Sequence, residues 1–118
     1  MIIFNTQRSV ILMGISNDSK VLVVYFSDHD GKNQTVIHKG TAAEFRKAVG
    51  EDWDGFVKGD RFKIDFENNG PKEVRVFVIN DSYEENGALS YAKYFVGPAD
   101  LNPNKIEYEN LNFEDYVD

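Results

Sequence analysis

The sequence predicts an α+β fold: a single-layer antiparallel sheet of roughly five to seven strands with one short helix, residues 42–49, packed on a face. Three observations predict it. Short runs of β-branched and aromatic residues alternate with clusters of Asn, Asp, Gly and Pro, which is how strands joined by turns read. One segment carries both a helix start and a helix stop. The chain has 118 residues, 42% of them hydrophobic, enough for about one domain with one core.

Ile2–Phe4 and Val10–Ile15 read as one or two strands, followed by a turn at Asn17-Asp18-Ser19. Val21–Phe26 is a continuous apolar run, the pattern of a central strand covered on both faces. Asp28–Asn33 is a polar turn, and Gln34–His38 returns as a strand, which completes a three-stranded meander. Thr41-Ala42-Ala43-Glu44 then forms a capping box. Ala42, Phe45, Ala48 and Val49 share one helical face, and Gly50 closes the helix. Glu51–Asp60 reads as a loop holding the only Trp.

Beyond it, Phe62, Ile64 and Phe66 alternate with Lys63, Asp65 and Glu67 along a strand. Asn68-Asn69-Gly70-Pro71 is a hairpin signal. On the next strand Val74, Val76 and Val78 lie on one face and Arg75, Phe77 and Ile79 on the other. Two readings compete for Asp81–Val96. As a hairpin, Asn86-Gly87 turns the chain and Ala88–Val96 is a strand. As a helix, Ser82–Glu85 is a capping box and Gly97-Pro98 the stop. Gly87 would cost about 1 kcal/mol inside a helix, which favours the strand. Pro98–Asn104 is a loop, Lys105–Tyr108 an edge strand, and residues 109–118 an acidic tail that is either mobile or packed onto its own sheet.

Charge is the feature that bears on function. The net charge is −7, and residues 1–59 are neutral, so residues 60–118 hold all of it. An acidic chain is poorly suited to bind nucleic acid or an anionic membrane directly, because both require Lys and Arg. No cysteine is present, so thiolate chemistry and disulfides are excluded. With no basic, apolar leader at Met1–Asn5, the expected compartment is the cytoplasm.

No catalytic signature emerges. The glycines make neither a Walker A nor a Gly-x-Gly-x-x-Gly pattern, and no serine sits in a nucleophile elbow. His29 and His38 fall where a hairpin cannot oppose them, so both read as solvated surface residues rather than metal ligands. Asp28–Asn33 has alternating oxygens but lacks the glutamate of a calcium loop, since Lys39 stands at its twelfth position. No metal and no cofactor are expected.

Two candidate sites remain. In the second half, acids and tyrosines interleave: Glu84, Glu85, Glu107, Tyr108, Glu109, Glu114, Asp115 and Tyr116. Acid with exposed aromatic suits a surface that docks on a basic patch of another protein. The expected function is a non-catalytic acidic binding protein of the inhibitor, immunity or anti-defence type, masking a nuclease or nucleic-acid-binding effector. One alternative is a small-molecule site or small enzyme with a pocket near Trp53, Asp52 and Asp54. Another is a structural subunit of a phage or secretion assembly, joined through open strand edges. Oligomeric state is not readable from the sequence.

Overall fold

The computed structural model describes residues 17–80 and 92–116. Its elements are β1 (Lys20–Phe26), β2 (Gln34–Thr41), α1 (Ala42–Val49), α2 (Trp53–Val57), β3 (Arg61–Ile64), β4 (Lys72–Asn80) and β5 (Ala92–Pro98). The five strands form one sheet in the order β2-β1-β5-β4-β3, antiparallel except for the parallel pair β1–β5. The α+β class is therefore as expected, with two helices on the sheet instead of one.

β1 sits inside the sheet, and its burial follows its sequence. Val21, Leu22, Val23, Val24 and Phe26 are all fully buried. Val21 and Val23 face the helices, while Leu22, Val24 and Phe26 face the opposite side. β1 is flanked by β2 and β5, so the expected meander fails: β5 takes the place it reserved for the strand before β1. Ile2–Phe4 and Val10–Ile15 themselves lie outside the described residues.

α1 begins as its capping box dictates. Thr41 Oγ1 accepts from the Glu44 amide at 3.3 Å, and Glu44 Oε1 accepts from the Thr41 amide at 3.1 Å. The next two free amides of the first turn are satisfied from the β1 side: Ala42 and Ala43 donate to the carbonyls of Ser19 and Asn17. Gly50 ends the helix at φ 66°, a conformation natural to glycine. Ala42, Phe45 and Val49 are buried as expected, but Ala48 is exposed; it falls at the margin of the apolar stripe.

The expected loop at 51–60 is instead a 3-10 turn (Gly50–Asp52) and the short helix α2. Gly55 conceals α2 in the sequence, because glycine disfavours helix by about 1 kcal/mol. Packing requires it there: a Cβ on Gly55 would lie 2.3 Å from the Arg61 carbonyl. α2 thereby presses against β3 and delivers Phe56 to the centre of the core. Phe56 contacts Phe45, Phe62 and Tyr94 at ring-centroid distances of 4.8, 5.3 and 4.6 Å. Since β2 and β3 are opposite edges of the sheet, the helical connection crosses its whole width and covers that face.

A hairpin does join the two strands, with Ile64 paired to Lys72, but β3 ends at Ile64: Phe66 and Glu67, expected in the strand, fall in the 65–71 loop. β4 departs from simple alternation. Val76 pairs with Val96 and Val78 with Phe95, so Phe77 is an extra residue in a β-bulge. Val74 and Val76 share a face, the one under the helices, but Val78, expected beside them, is carried to the other. Residues 92–96 are strand, which favours the hairpin reading over the helical one; Asn86-Gly87 lies outside the described residues. The expected edge strand at Lys105–Tyr108 is absent, replaced by 3-10 turns at Pro103–Lys105 and Tyr108–Asn110.

The cap gives a test in acid. Hydrogen bonds from Thr41 hold the Glu44 carboxyl below its ordinary value. A depressed native pKa adds stability above the unfolded carboxylate range, and that stability is lost as pH falls through the native value. Thr41→Ala is expected to cost about 1 kcal/mol at neutral pH. In thermal melts its deficit should shrink in acid; a deficit independent of pH would contradict the role given to Glu44.

Candidate binding surface: the C-terminal strap

Among the described residues, no α-helix lies on the second face of the sheet. Leu22, Val24, Phe26 and Phe95 are fully buried there, and the cover is Leu101–Tyr116. Leu101, Ile106, Leu111, Phe113 and Tyr116 pack onto that face. Phe113 stacks on Phe95 with centroids 4.4 Å apart and an interplanar angle of 28°. Of the two sequence readings for the acidic C-terminal segment, the packed one holds for residues 109–116. We call residues 101–116 the strap.

Three 3-10 turns build it, and none spans more than three residues. The first and the third are started locally. Asn102 Oδ1 accepts from the Asn104 amide and Asn112 Oδ1 from the Glu114 amide, both at 2.9 Å. Such side-chain turns explain why polar Asn recurs in a segment that must also place apolar residues inward.

The β1–β2 loop holds the strap in place. His29 takes two backbone amides: Asn102 donates to Nε2 and Glu107 to the carbonyl oxygen, each at 2.9 Å. Gln34 Nε2 donates to the Gly31 and Asn110 carbonyls at 2.7 Å. Asn110 Nδ2 donates to the Asp30 carbonyl at 2.8 Å and to Glu107 Oε2 at 3.3 Å. The Tyr116 hydroxyl donates to Gln34 Oε1. Burial pushes that hydroxyl's pKa up, which keeps its proton available for the bond. His29 is thus a clamp and not the solvated residue expected. His38 is not simply solvated either: its Nε2 lies 2.9 Å from the Thr41 carbonyl and its ring 4.9 Å from Phe45.

The clamp sorts the predicted site residues. Glu107, Glu109, Glu114 and Asp115 are exposed on the strap while its apolar side chains turn inward. Tyr108 is 41% exposed, with its hydroxyl donating to the Pro103 carbonyl. Tyr116 is partly buried and serves the clamp rather than an open surface. Glu84 and Glu85 lie outside the described residues. Sequence reasoning missed Asp30, which the clamp brings beside Glu107. Hydrogen bonds from Asp28 and from the Lys32 amide hold its carboxyl below the ordinary range, so it stays ionised.

Trp53 occupies a different place. It is 7% exposed, packs on Phe56 and lies under the Arg46 guanidinium. Asp52 Oδ2 accepts from the Lys63 amide at 2.7 Å, fixing α2 to β3, and Asp54 faces solvent. Trp53 thus serves the core and Asp52 a backbone bond, while Asp54 is exposed. Among the described residues no three His, Asp or Glu side chains form a group that could hold a metal ion, and no helix is long and apolar enough to cross a membrane.

No protein-family model, curated protein or solved structure matches the chain.

Two tests of the clamp follow from its chemistry. Asp28 shares a hydrogen bond with Asp30, and with partial burial this raises its pKa; its Oδ1 is buried without a partner. A raised native pKa stabilises below the unfolded carboxylate range, and the benefit disappears as pH rises through the native value. Asp28→Asn should therefore raise the melting temperature at neutral pH, with a smaller gain in acid; a neutral-pH loss would refute this. Phe113→Ala should cost about 2 kcal/mol, less than a fully buried Phe, and open residues 101–116 to protease. Unchanged cleavage there would count against the strap as a cover.

Proposed function

We propose that the chain is a non-catalytic binding protein that presents its strap to a basic surface of a partner protein. It acts as an inhibitor or immunity protein would act on a nuclease or other nucleic-acid-binding effector. One observation carries the reading: four exposed carboxylates, Glu107, Glu109, Glu114 and Asp115, stand on a segment anchored at both ends. A segment already fixed before binding loses less conformational entropy on docking than a disordered acidic tail. Clustered like charge also speeds encounter with an oppositely charged partner and repels polyanions.

Tyr108 supplies the aromatic anchor. It is a large side chain left 41% exposed among carboxylates, and tyrosine is enriched where interfaces concentrate their binding energy. Asp30, kept ionised by its hydrogen bonds, extends the acidic surface onto the β1–β2 loop. The mechanism is occlusion: carboxylates occupy the Lys and Arg positions that would otherwise hold phosphates. It requires no cofactor and no chemistry by this chain.

The test is capture of the partner at two ionic strengths by the wild type and by a chain with Glu107→Gln, Glu109→Gln, Glu114→Gln and Asp115→Asn. Gln at 107 keeps an acceptor for Asn110. The reading expects a basic protein retained at low salt and released at high salt. The substituted chain should associate about one to two orders of magnitude more slowly. Equal capture by both chains would overturn it.

A further inference from the structure

We propose that Asn69 is a site of spontaneous covalent modification, where the side-chain amide is lost through a cyclic imide. The residue stands in the β3–β4 loop and is exposed. Gly70 follows it at φ 95°, and an added Cβ there would meet nothing within 4 Å. Among the described residues, neither the Asn69 side chain nor the Gly70 amide has a hydrogen-bond partner. Nucleophile and leaving group are thus both free, and no side chain stands between them.

The reaction balances with water alone. The Gly70 backbone nitrogen gives up its proton to solvent base and attacks Asn69 Cγ. The tetrahedral adduct expels the side-chain nitrogen as ammonia, which leaves a five-membered imide. Water then opens the ring at one of its two carbonyls. Opening at Cγ yields aspartate; opening at the backbone carbonyl yields isoaspartate, with an extra carbon in the main chain. Either product adds a negative charge to the loop that also carries Asp65 and Glu67. The isoaspartate product also lengthens the link between β4 and β3, an edge strand of only four residues.

Asn102, Asn104 and Asn110 are held back by features Asn69 lacks. Asn102 precedes Pro103, which has no amide proton to lose. Asn104 precedes Lys105, whose amide donates to the Asn102 carbonyl. At Asn110 both partners are engaged: the side chain donates to Asp30 and Glu107, and the Leu111 amide donates to the Tyr108 carbonyl. Breaking even one such bond at about 1.4 kcal/mol would slow the step roughly tenfold.

The experiment incubates the intact folded chain at mildly alkaline pH and body temperature, then maps peptides by mass spectrometry with fragmentation that separates isoaspartate from aspartate. The same chain unfolded in denaturant is the reference. The proposal expects a gain of one mass unit at Asn69, mostly as isoaspartate, at a rate close to that of the unfolded chain. Asn110 should react at least roughly tenfold more slowly than Asn69. Site-resolved mapping keeps the Asn86-Gly87 pair from being mistaken for it. An Asn69 amide that survives in the folded chain while the unfolded chain loses it would overturn the proposal. So would a rate at Asn69 no higher than at Asn110.

Discussion

Burial of β1 on both faces is the constraint on which the rest depends. Val21 and Val23 need a cover on one side, Leu22, Val24 and Phe26 on the other. Each fully buried aliphatic or aromatic side chain contributes on the order of 1.5–3 kcal/mol, so neither face can be left to water. α1 and α2 meet the first need as they cross from edge to edge. The strap meets the second without regular secondary structure. That division explains why a segment with the composition of a solvated tail is instead part of the core: its apolar residues are demanded by a strand about eighty positions earlier.

The strap also shows how a packing requirement shapes a surface. Once Leu111, Phe113 and Tyr116 are turned inward, the intervening Glu114 and Asp115 are turned out. The clamp at His29, Gln34 and Asn110 then fixes where they stand. Side chain-to-backbone bonds suit this task, because 3-10 turns leave amides and carbonyls that need partners. Structure and proposed function therefore draw on the same residues, and a charge-neutral strap would have lower self-repulsion but no basis for choosing a basic partner.

Local chemistry was legible in the sequence. The Thr41–Glu44 capping box, the Gly50 stop and the two-sided apolar run of β1 each act over a few residues, and each appears as read. Features set by distant contacts were not. Helix α2 is hidden by Gly55, whose reason is the Arg61 carbonyl against it. The parallel pairing of β1 with β5 joins residues about seventy apart, and no local pattern announces it. The bulge at Phe77 moves Val78 to the other face, which strict alternation cannot foresee. His29 looked like any polar-turn histidine because its partners, Asn102 and Glu107, lie far along the chain.

The central claim is that the strap is an integral layer of the fold, clamped to the β1–β2 loop. Native-state hydrogen exchange at the backbone amides of Asn102, Glu107, Leu111 and Tyr116 tests it most directly. All four donate within the described structure, so the account predicts clear protection, below that of β1 but well above an unfolded peptide. Exchange at unfolded-peptide rates across all four amides, with β1 still protected, would contradict it.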